Sequence, residues 1–155
     1  MDRFLSNVSS RLDAKGRVSI PAPFRSILTR DGFPGLFVHP SLDQEALDAG
    51  GNALLAEIDA LLATLPPYSE ERDSLATALL GVSEALKVDA EGRVILSENL
   101  KVYAGISDSV TFVGQGSKFQ IWEPERFRAH LAASRAGAKE LRRRLARLGS
   151  PEIAA

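Results

Sequence analysis

The stretch Leu12-Asp13-Ala14-Lys15-Gly16-Arg17-Val18-Ser19-Ile20 recurs as Val88-Asp89-Ala90-Glu91-Gly92-Arg93-Val94-Ile95-Leu96, 76 residues downstream. Five of the nine positions are identical, and the first and last exchange one apolar residue for another. Two copies of one structural unit is the reading that follows. In each copy an Asp opens and a Gly closes a four-residue turn, the residue types a type I turn favours at those places. Val8, Ser10 and Leu12 alternate before the first turn and Val18 and Ile20 after it, so each copy is predicted as strand–turn–strand. Period-two alternation sends Arg17 and Ser19 to the face opposite Val18 and Ile20. Pro21 and Pro23 end that strand.

Working outward at the same offset, Phe24-Arg25 falls opposite Leu100-Lys101. Phe37-Val38-His39-Pro40 is matched with Ile121-Trp122-Glu123-Pro124, a wider spacing that predicts a longer insertion in the second half. A hairpin is predicted over residues 110–114 and 118–122 around Gly114-Gln115-Gly116-Ser117, with residues 36–39 as its first-half counterpart. Ser41 with Gln44 has the capping-box pattern and predicts a helix just after Pro40. Leu54, Ile58, Leu61 and Leu65 mark a helical face that Pro66-Pro67 breaks. Ser69 caps a further helix read through Leu75, Leu79, Val82 and Leu86. The last helix starts at Pro124 and ends near Gly149, with Pro151 beyond. Its stripe of Phe127, Leu131, Ser134, Ala138, Leu141, Leu145 and Leu148 fits packing on the body or docking on a neighbouring subunit.

Composition narrows the chemistry. The chain has 155 residues, 45% apolar and 25% charged, enough for one domain's core or two small halves. It has no Cys, which excludes disulfides and thiolate chemistry and fits a reducing compartment. Neither an apolar leader at the start nor a stretch of about 18 to 20 apolar residues is found, so neither export nor a membrane location is expected. The formal charge of −1 hides a strong pattern: +4 over residues 1–30, −10 over 31–100 and +5 over 101–155. A polyanion responds to a local basic patch rather than to the total.

His39 and His130 lie in no nucleophile or zinc motif, and Gly114-Gln115-Gly116 is too short for a phosphate loop. No cofactor or metal is expected. Asp13 and Asp89 recur by symmetry, but each precedes an Arg by four residues. A pair that stiffens the turn accounts for them more simply than a general acid–base dyad. Arg17 and Arg93 follow rigid turns on outward strand faces, with Arg11, Lys15 and Arg25 adding charge around the first copy. Such arginines can contact guanine edges or phosphate in bidentate fashion. From the motif alone, bracing of their own hairpins serves equally well.

Asp-Ala-Lys-Gly-Arg-Val-Ser-Ile-Pro with Phe24-Arg25 resembles the signature of AbrB-type transcription factors. Two copies in a chain of this length, with Val113-Gly114-Gln115-Gly116-Ser117-Lys118-Phe119-Gln120-Ile121-Trp122 downstream, resemble the MraZ family over roughly residues 4–130. The resemblance implies an α+β chain with a swapped-hairpin (double-split) β-barrel built from two tandem AbrB-like half-repeats, inserted helices and a C-terminal helix. The expected boundaries are 1–68, 69–130 and 131–155. It further implies a non-enzymatic, sequence-specific DNA-binding regulator, a repressor of the division and cell-wall gene cluster and of its own gene. The expected partners are double-stranded DNA at promoter repeats and further copies of the chain in a ring-like homo-oligomer, in the cytoplasm on the nucleoid. The family's Asp-x-x-x-Arg contact motif carries over to Asp13 and Arg17 and to Asp89 and Arg93. An AbrB-like antitoxin is the alternative. Two departures bear on the second copy: Glu91 stands where Lys15 does, and Ser97 where Pro21 does, which predicts weaker phosphate attraction and a looser strand exit. The Arg142-Arg143-Arg144 cluster suits the C-terminal end of a helix dipole and also DNA.

Overall fold

The structure, a computed structural model, describes residues 2–149. Residues through Glu123 form one compact unit and those from Pro124 a second. The first unit runs β1 (Asn7–Arg11), β2 (Arg17–Ser19), α1 (Ala22–Asp31), β3 (Leu36–Pro40), β4 (Leu47–Gly50), α2 (Asn52–Leu62), α3 (Glu70–Ala76), β5 (Glu84–Leu86), β6 (Arg93–Ile95), α4 (Glu98–Ala104), β7 (Ser109–Gly114) and β8 (Phe119–Trp122). The second unit is the helix α5 (Pro124–Leu148).

Six strands form one antiparallel sheet in the order β1-β7-β8-β4-β3-β5, and β2 pairs with β6 in a separate ribbon. Exchanging β1 with β5, β3 with β7 and β4 with β8 returns the same order, so the repeat seen in the sequence is a pseudo-two-fold in the fold. Its centres are Val18 opposite Val94 in the ribbon and Asp48 opposite Gln120 in the sheet. The strands that flank each turn do not pair with each other. β1 pairs with β7 and β5 with β3, each across the halves.

The sheet is open, not the closed barrel expected. Its edge strands β1 and β5 lie at opposite ends of the order. The ribbon and two helices cover the sheet's apolar face: Val18 and Val94, Phe24 and Leu28 of α1, and Leu100 and Ala104 of α4 pack with Leu36, Val38, Val110, Phe112 and Phe119. Phe119 centres an aromatic group, its ring centroid 4.9 Å from both Phe4 and Phe24 and 6.0 Å from Phe112. Burying each of the ribbon valines stabilises the fold by about 1.5–3 kcal/mol, which fastens the ribbon to the sheet.

Several local expectations change. Ser41 and Gln44 do make the 3.3 Å side-chain-to-backbone bond of a cap, but no helix follows. Leu47 and Ala49 are fully buried, and β4 hydrogen-bonds strands on both sides, which outweighs one capping bond. The first half therefore has a whole hairpin, and by register its β3 corresponds to β7 rather than to residues 121–124. The helix read through Leu86 stops earlier: a π-helical turn at Thr77–Gly81 ends it, and Leu86 lies in β5. Ser97 does not loosen the strand exit. It caps α4 by accepting from the Leu100 N–H and donates to Glu84 Oε2 at 2.8 Å. Pro21 holds the equivalent N-cap position of α1.

Along α5, Leu131, Leu141, Leu145 and Leu148 are exposed. Pro151 lies outside the described residues.

Candidate nucleic-acid interface

The two turns are built alike. Asp13 O accepts from the Gly16 N–H at 2.9 Å, and Asp89 O from the Gly92 N–H at 3.0 Å. Both glycines sit in the left-handed region, at φ 77 and 79, where side chains are strained. Each Asp then gathers its own loop. Asp13 Oδ1 accepts the backbone N–H groups of Lys15 and Arg17, both at 2.9 Å, while Oδ2 accepts Arg17 Nε at 2.6 Å. Asp89 repeats this with Glu91 and Arg93 N–H at 2.9 Å and Arg93 Nε at 2.9 Å.

Electrostatics follow from those bonds. The Arg17 backbone N–H foremost, with the guanidinium and the Lys15 N–H, holds the Asp13 carboxyl below the ordinary carboxylate range against the opposing effect of desolvation. Arg93 N–H does the same for Asp89. Asp89's hydrogen bond raises the Arg93 guanidinium above its usual value, and Asp13 contributes from the other loop. A carboxylate so stabilised in its charged form is a poor proton acceptor, so the pair suits rigidity rather than general base work.

Register places both arginines on one face. Val18 and Val94 point inward, so their neighbours Arg17, Ser19, Arg93 and Ile95 point outward. Arg17 is diagonal to Arg93, a placement that sets their Cα atoms about 7–8 Å apart. The loops are also tied together: the Ile20 N–H donates to Gly92 O at 2.9 Å and the Leu96 N–H to Gly16 O at 3.4 Å. Each Asp engages its arginine through Nε, which leaves the Nη groups outside that pair. Glu91 Oε2 approaches Arg93 Nη2 at 3.4 Å, whereas Lys15 at the equivalent place is exposed beside Arg17.

Asp13, Lys15, Arg17, Asp89 and Arg93 are thus brought together. Arg25 joins them, but at the second loop rather than the first, where its Nη1 donates to Glu91 O at 3.2 Å. Arg11 stands apart. It ends β1 opposite Ser109, and alternation with Ser9, whose Oγ meets Thr111 Oγ1 at 2.8 Å, puts it on the sheet face away from the ribbon. Ile95, opposite Arg17, two residues from Arg93 and 56% exposed, is a further position on this face. The alternation that assigns Ser19 outward also assigns it. Among the described residues no group of three or more His, Asp or Glu could hold a metal ion, and no helix is long and apolar enough to cross a membrane.

Comparison with known proteins identifies the family of the chain. The family model described as "MraZ protein, putative antitoxin-like" matches residues 79–148. A protein of Methylocella silvestris named transcriptional regulator MraZ is 66% identical over 98% of this chain and 93% of its own length. One of the same name from Beijerinckia indica subsp. indica is 67% identical, covering 94% and 88%. A Rickettsia bellii protein, also so named, is 41% identical over 92% and 95%. With relatives this similar along nearly the whole length, the chain belongs to the MraZ family.

Proposed function

We propose that this chain is a transcriptional repressor that grips double-stranded DNA through the β2–β6 ribbon, with Arg17 and Arg93 reading or clamping one short site. The observation that carries this is the placement of both arginines on the same outward face, each with its fork fixed by its own Asp. A two-stranded ribbon fits the major groove, and a bidentate Arg there selects guanine through O6 and N7. A spacing of about 7–8 Å spans roughly two base-pair steps of about 3.4 Å. Ile95 beside them offers an apolar contact suited to a thymine methyl. The interleaved halves support a swapped-hairpin reading of the body in open form, within the three segments 1–68, 69–130 and 131–155. Asp13 and Asp89 position their arginines and carry no catalysis.

One ribbon offers few base contacts, so useful affinity comes from several ribbons on repeated sites, joined in a ring-like homo-oligomer. The sites are short repeats upstream of the division and cell-wall genes and of the chain's own gene, and the protein works in the cytoplasm on the nucleoid. Footprinting on the chain's own upstream region tests this. Protection of evenly spaced short repeats, weakened steeply by salt, is expected. A featureless footprint, with binding instead to a partner protein encoded next door, would replace this reading with the antitoxin one.

A further inference from the structure

The two halves are built alike, yet one cation breaks the symmetry. Arg25 on α1 and Lys101 on α4 are equivalent by the repeat offset. Lys101 turns to Glu98 at 3.3 Å, and Gly16, the glycine it would cover, has open space where a Cβ would be. Arg25 instead lies across the second loop. It donates from Nη1 to Glu91 O, and a Cβ added at Gly92 would collide with its Nη1 and Cδ. Gly92 is buried, whereas Gly16 is partly open. The first loop carries its own cation in Lys15. The second has Glu91 there, whose carboxylate also draws on Arg93.

We propose that Arg25 is a DNA-phosphate contact of the second loop, supplied across the halves by α1. It provides the positive charge that Glu91 denies that loop. This rests on the ribbon reading of the interface. The half-buried Arg25 anchors the loop through Nη1 alone, and among the described residues its Nε and Nη2 make no bond, which leaves them available to a phosphate. Arginine suits this double duty, since its planar guanidinium presents five donors in fixed directions, which a lysine does not. Each loop of one module therefore presents two cations by different routes, Lys15 within the loop on one side and Arg25 from outside it on the other, although Glu91 leaves the second loop one unit less positive.

The test is a salt titration of a fluorescein-labelled duplex of the upstream region against full-length protein carrying Arg25→Gln, with Lys101→Gln as the matched control. Arg25→Gln is expected to weaken binding about tenfold at fixed salt. It is also expected to lower the slope of log K against log salt by about 0.9, one phosphate's worth. Lys101→Gln is expected to leave the slope unchanged. Gly92→Ala, which displaces Arg25, should cost more in the parent than in the Arg25→Gln background, where only the strain of its positive φ remains. Unchanged slope in Arg25→Gln, or an equal fall in Lys101→Gln, overturns the inference while parental binding keeps the ribbon reading intact. A parent that binds no duplex overturns both. Arg25→Met, measured alongside with its thermal unfolding, repeats the test should the Gln variant be unstable.

Discussion

Replacing Asp13 by Asn separates two effects that most charge changes confuse. Asn keeps the Oδ1 acceptor for the Lys15 and Arg17 N–H groups, both at 2.9 Å, so the turn keeps its backbone bonds. At the other position an NH2 faces Arg17 Nε, where Oδ2 now accepts at 2.6 Å. Two donors cannot share that contact, and the guanidinium is released from its fixed orientation. The variant is also one unit more positive next to the DNA, which strengthens sequence-independent attraction. Orientation and charge thus act in opposite directions. Loss of one bidentate base contact lowers specific affinity roughly tenfold to hundredfold. Affinity for a scrambled duplex should stay level or rise. Fluorescence anisotropy with the upstream and scrambled duplexes, at one salt concentration, reads both. If specific and scrambled affinities rise together, Asp13 is only a negative charge near DNA and the positioning argument fails.

Arg17→Ala should weaken binding more than Arg93→Ala, because Glu91 already engages Arg93 at 3.4 Å; equal losses in the same titration would contradict the ordering. Phe119→Ala removes the ring that joins Phe4, Phe24 and Phe112 at 0% exposure, and should lower unfolding stability by about 3–5 kcal/mol in urea. A loss below about 1 kcal/mol would mean the core is not centred there. Asp13 and Asp89 have lowered folded values, so their contribution is complete above the unfolded carboxylate value of about 3.9 and is lost as pH falls through the lower folded values. The Lys15 and Glu91 amide resonances, which report those carboxylates, should therefore hold steady above pH ~5 and move only below about pH 4. A midpoint near or above about pH 4.5 would refute the shielding.

What the sequence reveals here is mostly local. The Asp-x-x-Gly-Arg turn is legible because its chemistry is complete within five residues: the caps, the positive-φ glycine and the Arg partner are all adjacent. The β7–β8 hairpin around Gly116 is legible for the same reason, and α5 because Pro124 starts a long periodic run. Pairing across the halves is not legible. Nothing near Val18 announces Val94 as its partner, and alternation alone suits a self-paired hairpin as well as an interleaved one. The capping pattern at Ser41 misleads because one local bond competes with the complete burial of Leu47 and Ala49, which depends on neighbouring strands. Arg25 shows the same limit at the site. Its sequence neighbours belong to the first copy, but α1 leaves the ribbon in a direction that delivers the guanidinium to the second loop.

The central claim is that the outward face of the ribbon, between Arg17 and Arg93, meets the duplex. A photo-crosslinking amino acid placed at Ile95, 56% exposed beside the arginines, tests it against the same group at Leu61, 48% exposed on α2. Crosslinks to the upstream duplex from position 95 and none from position 61 are expected. DNA captured at position 61 but not at 95 would contradict the account.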